Sequence, residues 1–113
     1  MTIREIVYER QNEIKKGVFT PTRASEILVE LASILGNCND RIRETDVAYN
    51  KELLRWLDSE TKANRARIKA ECSKEYLDKR EARDIKELVV EIMRSLKYYL
   101  NNAEEEYGLG KYQ

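Results

Sequence analysis

The residues best placed to do chemistry lie between positions 62 and 86. Nine bases, Lys62, Arg65, Arg67, Lys69, Lys74, Lys79, Arg80, Arg83 and Lys86, stand there against five acids, Glu71, Glu75, Asp78, Glu81 and Asp84. The segment is net +4 and each flank is net −2, so this zone is the one suited to neutralise phosphates and to bind a polyanion in a salt-dependent way. Tyr76 sits in its middle, and Tyr98, Tyr99, Tyr107 and Tyr112 supply further aromatic faces on which unstacked bases can lie. The candidate nucleic-acid contacts are therefore Lys62, Arg65, Arg67, Lys69, Lys74, Tyr76, Lys79, Arg80 and Arg83. The plainer alternative is a solvated helix face whose charges pair three or four residues apart, as Glu71 with Lys74 or Glu75 with Lys79.

Other chemistries find little support. The chain has no His, so the ordinary general base and the commonest metal ligand are both missing. Cys38 and Cys72 are too few for a disulfide framework and read as reduced thiols, one near Lys69 and Lys74 but with no partner that would make it a nucleophile. The run Glu104, Glu105, Glu106 lacks the Glu-x-x-His companion of a carboxylate-bridged metal site. Glycines at 17, 36, 108 and 110 stand where helices end or bend rather than in a phosphate-binding loop. The reading is a non-enzymatic protein with no catalytic residues, no metal and no cofactor.

What must position the basic zone is helical. Charged residues make up 37% of the 113, with one Pro and four Gly, a composition of long solvated helices. The expected fold is all-α, a single domain over 1–113 built as a long helical hairpin or coiled-coil bundle of three helices. Helix 1, about 3–16, opens with Thr2 and Glu5 as a capping box and closes at Gly17 in the left-handed conformation. Val18 and Phe19 form an apolar connector. Thr20 caps helix 2 and Pro21 takes its first position. Helix 2 is expected over about 21–72, with a kink allowed at 36–40 where Gly36, Asn37, Asn39 and Asp40 are poor helix formers. A turn near 72–80, with Ser73 as a cap, leads to helix 3 at about 80–107, which Gly108 and Gly110 stop.

Through helix 2 runs a seven-residue series, Leu28, Leu35, Ile42, Tyr49, Trp56, Ala63, Ala70 and Leu77, with a second series at Ala24, Leu31, Cys38, Thr45, Glu52, Ser59, Ala66 and Ser73 between its members, so the seam is apolar at first and thins towards small and polar residues. Leu53, Leu54, Trp56 and Leu57 make the densest apolar knot, and a Trp at such a position belongs to a core or an interface. The repeat is that of a helix packing lengthwise on another. It is longer than helices 1 and 3 can cover, so Leu28, Leu31, Leu35, Ile42, Tyr49 and Trp56 are candidates for a homo-oligomer interface. Lys plus Arg and Asp plus Glu balance at 21 each, no apolar run is long enough for a membrane span, and MTIREIVYERQ is unlike a signal peptide. A cytoplasmic protein is expected.

The segments KANRARIKAECSKEY and REARDIKELVVEIMRSLKYYLNNAEEEY, together with this layout, resemble the small helical proteins that phages encode beside their single-strand annealing and recombination genes. In layout the chain is also similar to the recombination mediator of the T-even phages. The resemblance covers roughly residues 60–107, and it implies that Lys62, Arg65, Arg67 and Lys69 match the nucleic-acid-facing segment. The zero net charge departs from that pattern. The function it suggests is an accessory role in DNA recombination or replication in the host cytoplasm, as a helical homo-oligomer touching single-stranded DNA or a DNA-bound protein. Two other classes fit a small chain without catalytic residues: a counter-defence protein that inhibits a host immune protein or sequesters a nucleotide signal, and a structural coiled-coil module.

Overall fold

The computed structural model describes residues 1–17, 19–60 and 62–112, with side chains described as far as Ala103. Val18, and the side chains of Glu104, Glu105, Glu106, Tyr107 and Tyr112, lie outside the described residues. The protein is all-α. Among the described residues four helices follow one another, α1 over Ile3–Lys15, α2 over Pro21–Ser59, α3 over Ala63–Glu71 and α4 over Lys74–Tyr112, and no strand occurs.

The caps form as their residue types require. Thr2 Oγ1 accepts from the Glu5 amide at 3.2 Å at the start of α1, and Gly17 follows its end at φ 73°, where a side chain would be strained. Thr20 Oγ1 accepts from the Arg23 amide at 3.1 Å as α2 begins. Ser73 Oγ accepts from the Tyr76 amide at 3.3 Å as α4 begins.

Three expected boundaries are corrected. Helix 2 does not reach 72: it stops at Ser59, and a separate nine-residue α3 precedes a short turn at Cys72 and Ser73. The large apolar residues of α2 end at Leu57, and none follows before Ile68, so no apolar side chain is there to hold another turn of this helix on a partner. The last helix starts at Lys74 rather than near 80, because the Ser73 cap acts at once. It also runs through Gly108 and Gly110 to Tyr112; glycine weakens a helix without forbidding it. α2 itself is uninterrupted helix through 36–40. Gly36 is exposed there with nothing within 4 Å of where a Cβ would lie. Gly36→Ala should therefore stabilise the protein by about 0.5–1 kcal/mol, read as a higher thermal midpoint.

The chain divides into two compact units, Met1–Gly36 with Glu87–Gln113, and Asn37–Lys86. In the first, Val7 of α1, Ala24, Ile27, Leu31 and Ile34 of α2, and Val89, Ile92 and Leu96 of α4 are buried. Arg10 joins α1 to α2 through Glu30, with Nε 2.5 Å from the carboxylate, and this hydrogen bond raises the guanidinium pKa despite partial burial. Arg23 of α2 returns to Glu13 of α1 at 2.6 Å and holds that carboxyl below its ordinary range. Phe19 packs on Tyr99 with ring centroids 4.9 Å apart, and the Tyr99 hydroxyl donates to the Phe19 carbonyl at 3.3 Å.

Leu31, proposed from sequence as an oligomer contact, is fully buried inside this unit and is not available to a second chain. Leu28 and Leu35 are half-buried. The buried line steps through 24, 27, 31, 34 and 38, so it passes beside the Leu28 series rather than along it.

Candidate nucleic-acid interface

The second unit, Asn37–Lys86, holds the end of α2, all of α3 and the start of α4. Its interior is made of small or half-polar groups. Cys38, Thr45, Tyr49, Ala66, Ala70, Ala82 and Ile85 are its buried residues. Thr45 meets its need within α2, donating to the Arg41 and Ile42 carbonyls at 2.9 and 3.0 Å. Burial pushes the Cys38 thiol pKa up, which leaves it an inert core group. Cys72 is exposed beyond the end of α3.

Tyr49 joins α2 to α4. Its ring packs on Tyr76 of α4 at 5.6 Å, and Lys79 Nζ lies 4.4 Å from the same ring centroid. Burial, then the charge of Glu71 on α3, raise its phenol pKa. Tyr49 is 7% exposed, so it too is withdrawn from the candidate oligomer interface. Ile42 and Trp56 remain half-buried.

Ala66 and Ala70, four residues apart, face this interior at zero exposure, and their small side chains let α3 approach closely. The opposite side of α3 then follows from 100° per residue. It carries Asn64 and Ile68, with Arg65 and Arg67 on either hand, and Ile68 is 58% exposed. α3 begins at Lys62 in extended conformation, φ −114° and ψ 125°, without a side-chain cap. What ties it to α2 is Lys69, whose ammonium pairs with Glu60 and lies 4.8 Å from the Trp56 ring centroid.

Trp56 departs from the expectation for a seam tryptophan. It is half-buried, and the neighbours over its ring are the cations Arg55, 4.7 Å away, and Lys69. Its indole N–H donates to Glu52 at 3.0 Å, and Glu52 accepts from Arg55 at 2.6 Å. The expected knot around it does not form, since Leu54 is 58% and Leu57 41% exposed. Leu77, last of the seven-residue series, is exposed as well.

The nine candidate contacts divide into two sets. Lys69 is held by Glu60 and Trp56, Lys79 by the Tyr49 ring, and Arg83 by Asp46 at 2.8 Å. Arg80 donates to the Tyr76 hydroxyl at 3.3 Å, and Tyr76 has its ring against Tyr49, so Tyr76 is not the open stacking face expected from its position. Lys62, Arg65, Arg67 and Lys74 are exposed, and their side chains make no hydrogen bond or ion pair among the described residues. The expected Glu71–Lys74 and Glu75–Lys79 pairs are not formed; Lys79 turns to Tyr49 instead. No family model, curated protein or solved structure matches the chain.

Among the described residues no three His, Cys, Asp or Glu side chains are grouped to hold a metal, and no helix is long and apolar enough to cross a membrane. The Lys69–Glu60 contact was not legible in the sequence. The two residues are nine positions apart, a spacing that brings side chains together only once the helix between them breaks.

The contact has a pH signature. The hydrogen bond from Lys69 lowers the Glu60 carboxyl pKa from its reference of 4.5, so its contribution is complete above about pH 4.5 and is lost as pH falls through the lower folded value. Glu52, lowered by Arg55, titrates beside the same indole. Trp56 emission followed into acid should show a transition in the native protein that is diminished in Glu60→Gln; superimposable curves would show that Lys69 does not depend on Glu60.

Proposed function

We propose that the protein is a non-enzymatic accessory factor of DNA recombination or replication, of the phage type, acting in the host cytoplasm. α3 and its two ends present Lys62, Arg65, Arg67 and Lys74 to the phosphates of single-stranded DNA. The observation that carries the reading is a division among the bases: Lys69, Lys79, Arg80 and Arg83 are engaged inside the unit, while Lys62, Arg65 and Arg67 at α3 and Lys74 at the first position of α4 are exposed. Cations whose side chains form no ion pair keep their charge available to a partner. Four phosphate contacts on a single strand give a slope of log affinity against log salt of about −3, close to a fiftyfold loss between about 50 and about 200 mM. Fluorescence anisotropy of a labelled oligothymidylate at those two salt concentrations tests this; no binding at the lower salt, or an affinity indifferent to salt, removes the proposal.

The factor works as a coiled-coil homo-oligomer. Support comes from the far side of α2, where Val47, Leu54 and Leu57 follow one another at offsets of seven and three and are 53%, 58% and 41% exposed. The interface is thus moved from Leu31 and Tyr49 to the face opposite them.

A further inference from the structure

Trp56 is the single tryptophan of the chain. A core tryptophan is covered by apolar side chains, and its N–H is satisfied wherever it happens to reach. This one is half-buried, its ring neighbours are Arg55 and Lys69, and its N–H is fixed by Glu52, itself held by Arg55. The indole is thus held along its edge by Glu52, and two cations, Arg55 of its own helix and Lys69 of α3, stand over its ring. Lys69 reaches from α3, the helix that carries Arg65 and Arg67 and is flanked by Lys62 and Lys74.

We propose that Trp56 is a nucleobase-stacking position for a single strand, and that Lys69 is its displaceable cover. When a base takes the ring, the Lys69 ammonium moves from Glu60 to the neighbouring phosphate. This deepens the proposed function and rests on it. The exchange is favoured because stacking of a base on an aromatic ring outweighs a solvated cation–π contact, while the ammonium exchanges one anionic partner for another. Arg65 is placed to share in it, since its charge already acts on Glu60. The position also explains why a strand, rather than a duplex, is the ligand: only unpaired bases can offer a face to the indole.

The test uses the full chain and two labelled strands of about 12 nucleotides, one of oligothymidylate and one with the same phosphates but abasic throughout. The native protein should bind the first about tenfold more tightly than the second, and only the first should quench indole emission. Trp56→Leu should remove the difference, and Trp56→Phe should keep most of it. Equal affinity of the native protein for the two strands overturns the stacking position while leaving the phosphate contacts standing, as does a preference that survives in Trp56→Leu. Failure to bind either strand overturns the proposed function itself. Should Trp56→Leu lose its helical signal, the Phe variant and the quenching of the native indole decide the matter.

Discussion

Leu31→Ala is expected to destabilise the protein by about 3 kcal/mol, the ordinary cost of emptying a fully buried leucine site. Leu31 has no exposed surface and lies on the buried line of α2 between Ile27 and Ile34, so the lost contacts cannot be replaced by solvent. In a domain of this size such a change lowers the thermal midpoint by about 12 °C or more. Val29→Ala, two residues away on a side chain 70% exposed, should stay within about 0.5 kcal/mol of the native protein. Leu28→Ala, at a half-buried position, should fall between them. Thermal unfolding followed by helical circular dichroism checks all three. A Leu28 variant worse than the Leu31 variant would place the packing line on the seven-residue series instead.

The second large effect is on binding. Replacing Lys62, Arg65, Arg67 and Lys74 together by Gln should abolish the salt-dependent affinity for single-stranded DNA, flattening a slope of about −3 towards zero. The thermal midpoint should hardly change, because none of the four side chains makes an ion pair or hydrogen bond among the described residues. The contrasting variant is Arg83→Gln. It removes the partner of Asp46, whose other carboxylate oxygen is already buried without a hydrogen bond, so it should cost stability, and it should leave the salt slope unaltered. If Arg83→Gln weakens binding as much as the fourfold change does, the free cations are not the contact.

The fold was legible in the sequence where local chemistry decides it. Thr2, Gly17, Thr20, Pro21 and Ser73 act as helix punctuation in the structure as their types demand. The seam was legible as a period and misplaced as a face. A straight helix turns about 20° per heptad against a strict seven-residue repeat. Leu28 therefore begins at the margin of the buried side, and the same series reaches its centre only at Tyr49, 7% exposed. Reading the series as one continuous stripe assigned Leu28 too much and Leu31 too little.

The break after Ser59 was not legible, since no Pro or Gly marks it. It arises from an absence, the end of large apolar residues beyond Leu57, and absences weigh little in a propensity argument. The candidate site depended on that break. Charge counting marked the segment 62–86, and it could not separate its engaged bases from its exposed ones, because Lys69 with Trp56, Lys79 with Tyr49 and Arg83 with Asp46 are all contacts across helices. Ile68, exposed on α3 with an arginine on each side, was likewise hidden until Ala66 and Ala70 were seen to face inward.

The central claim is that α3 is the surface that meets a single strand, and amide chemical shifts measured during titration with an unlabelled oligothymidylate test it most directly. The account predicts perturbations concentrated at residues 62–74 and at the Trp56 indole N–H, fading as salt is raised. Perturbations centred elsewhere, such as around the exposed Tyr98 of α4, or none at low salt, would contradict it.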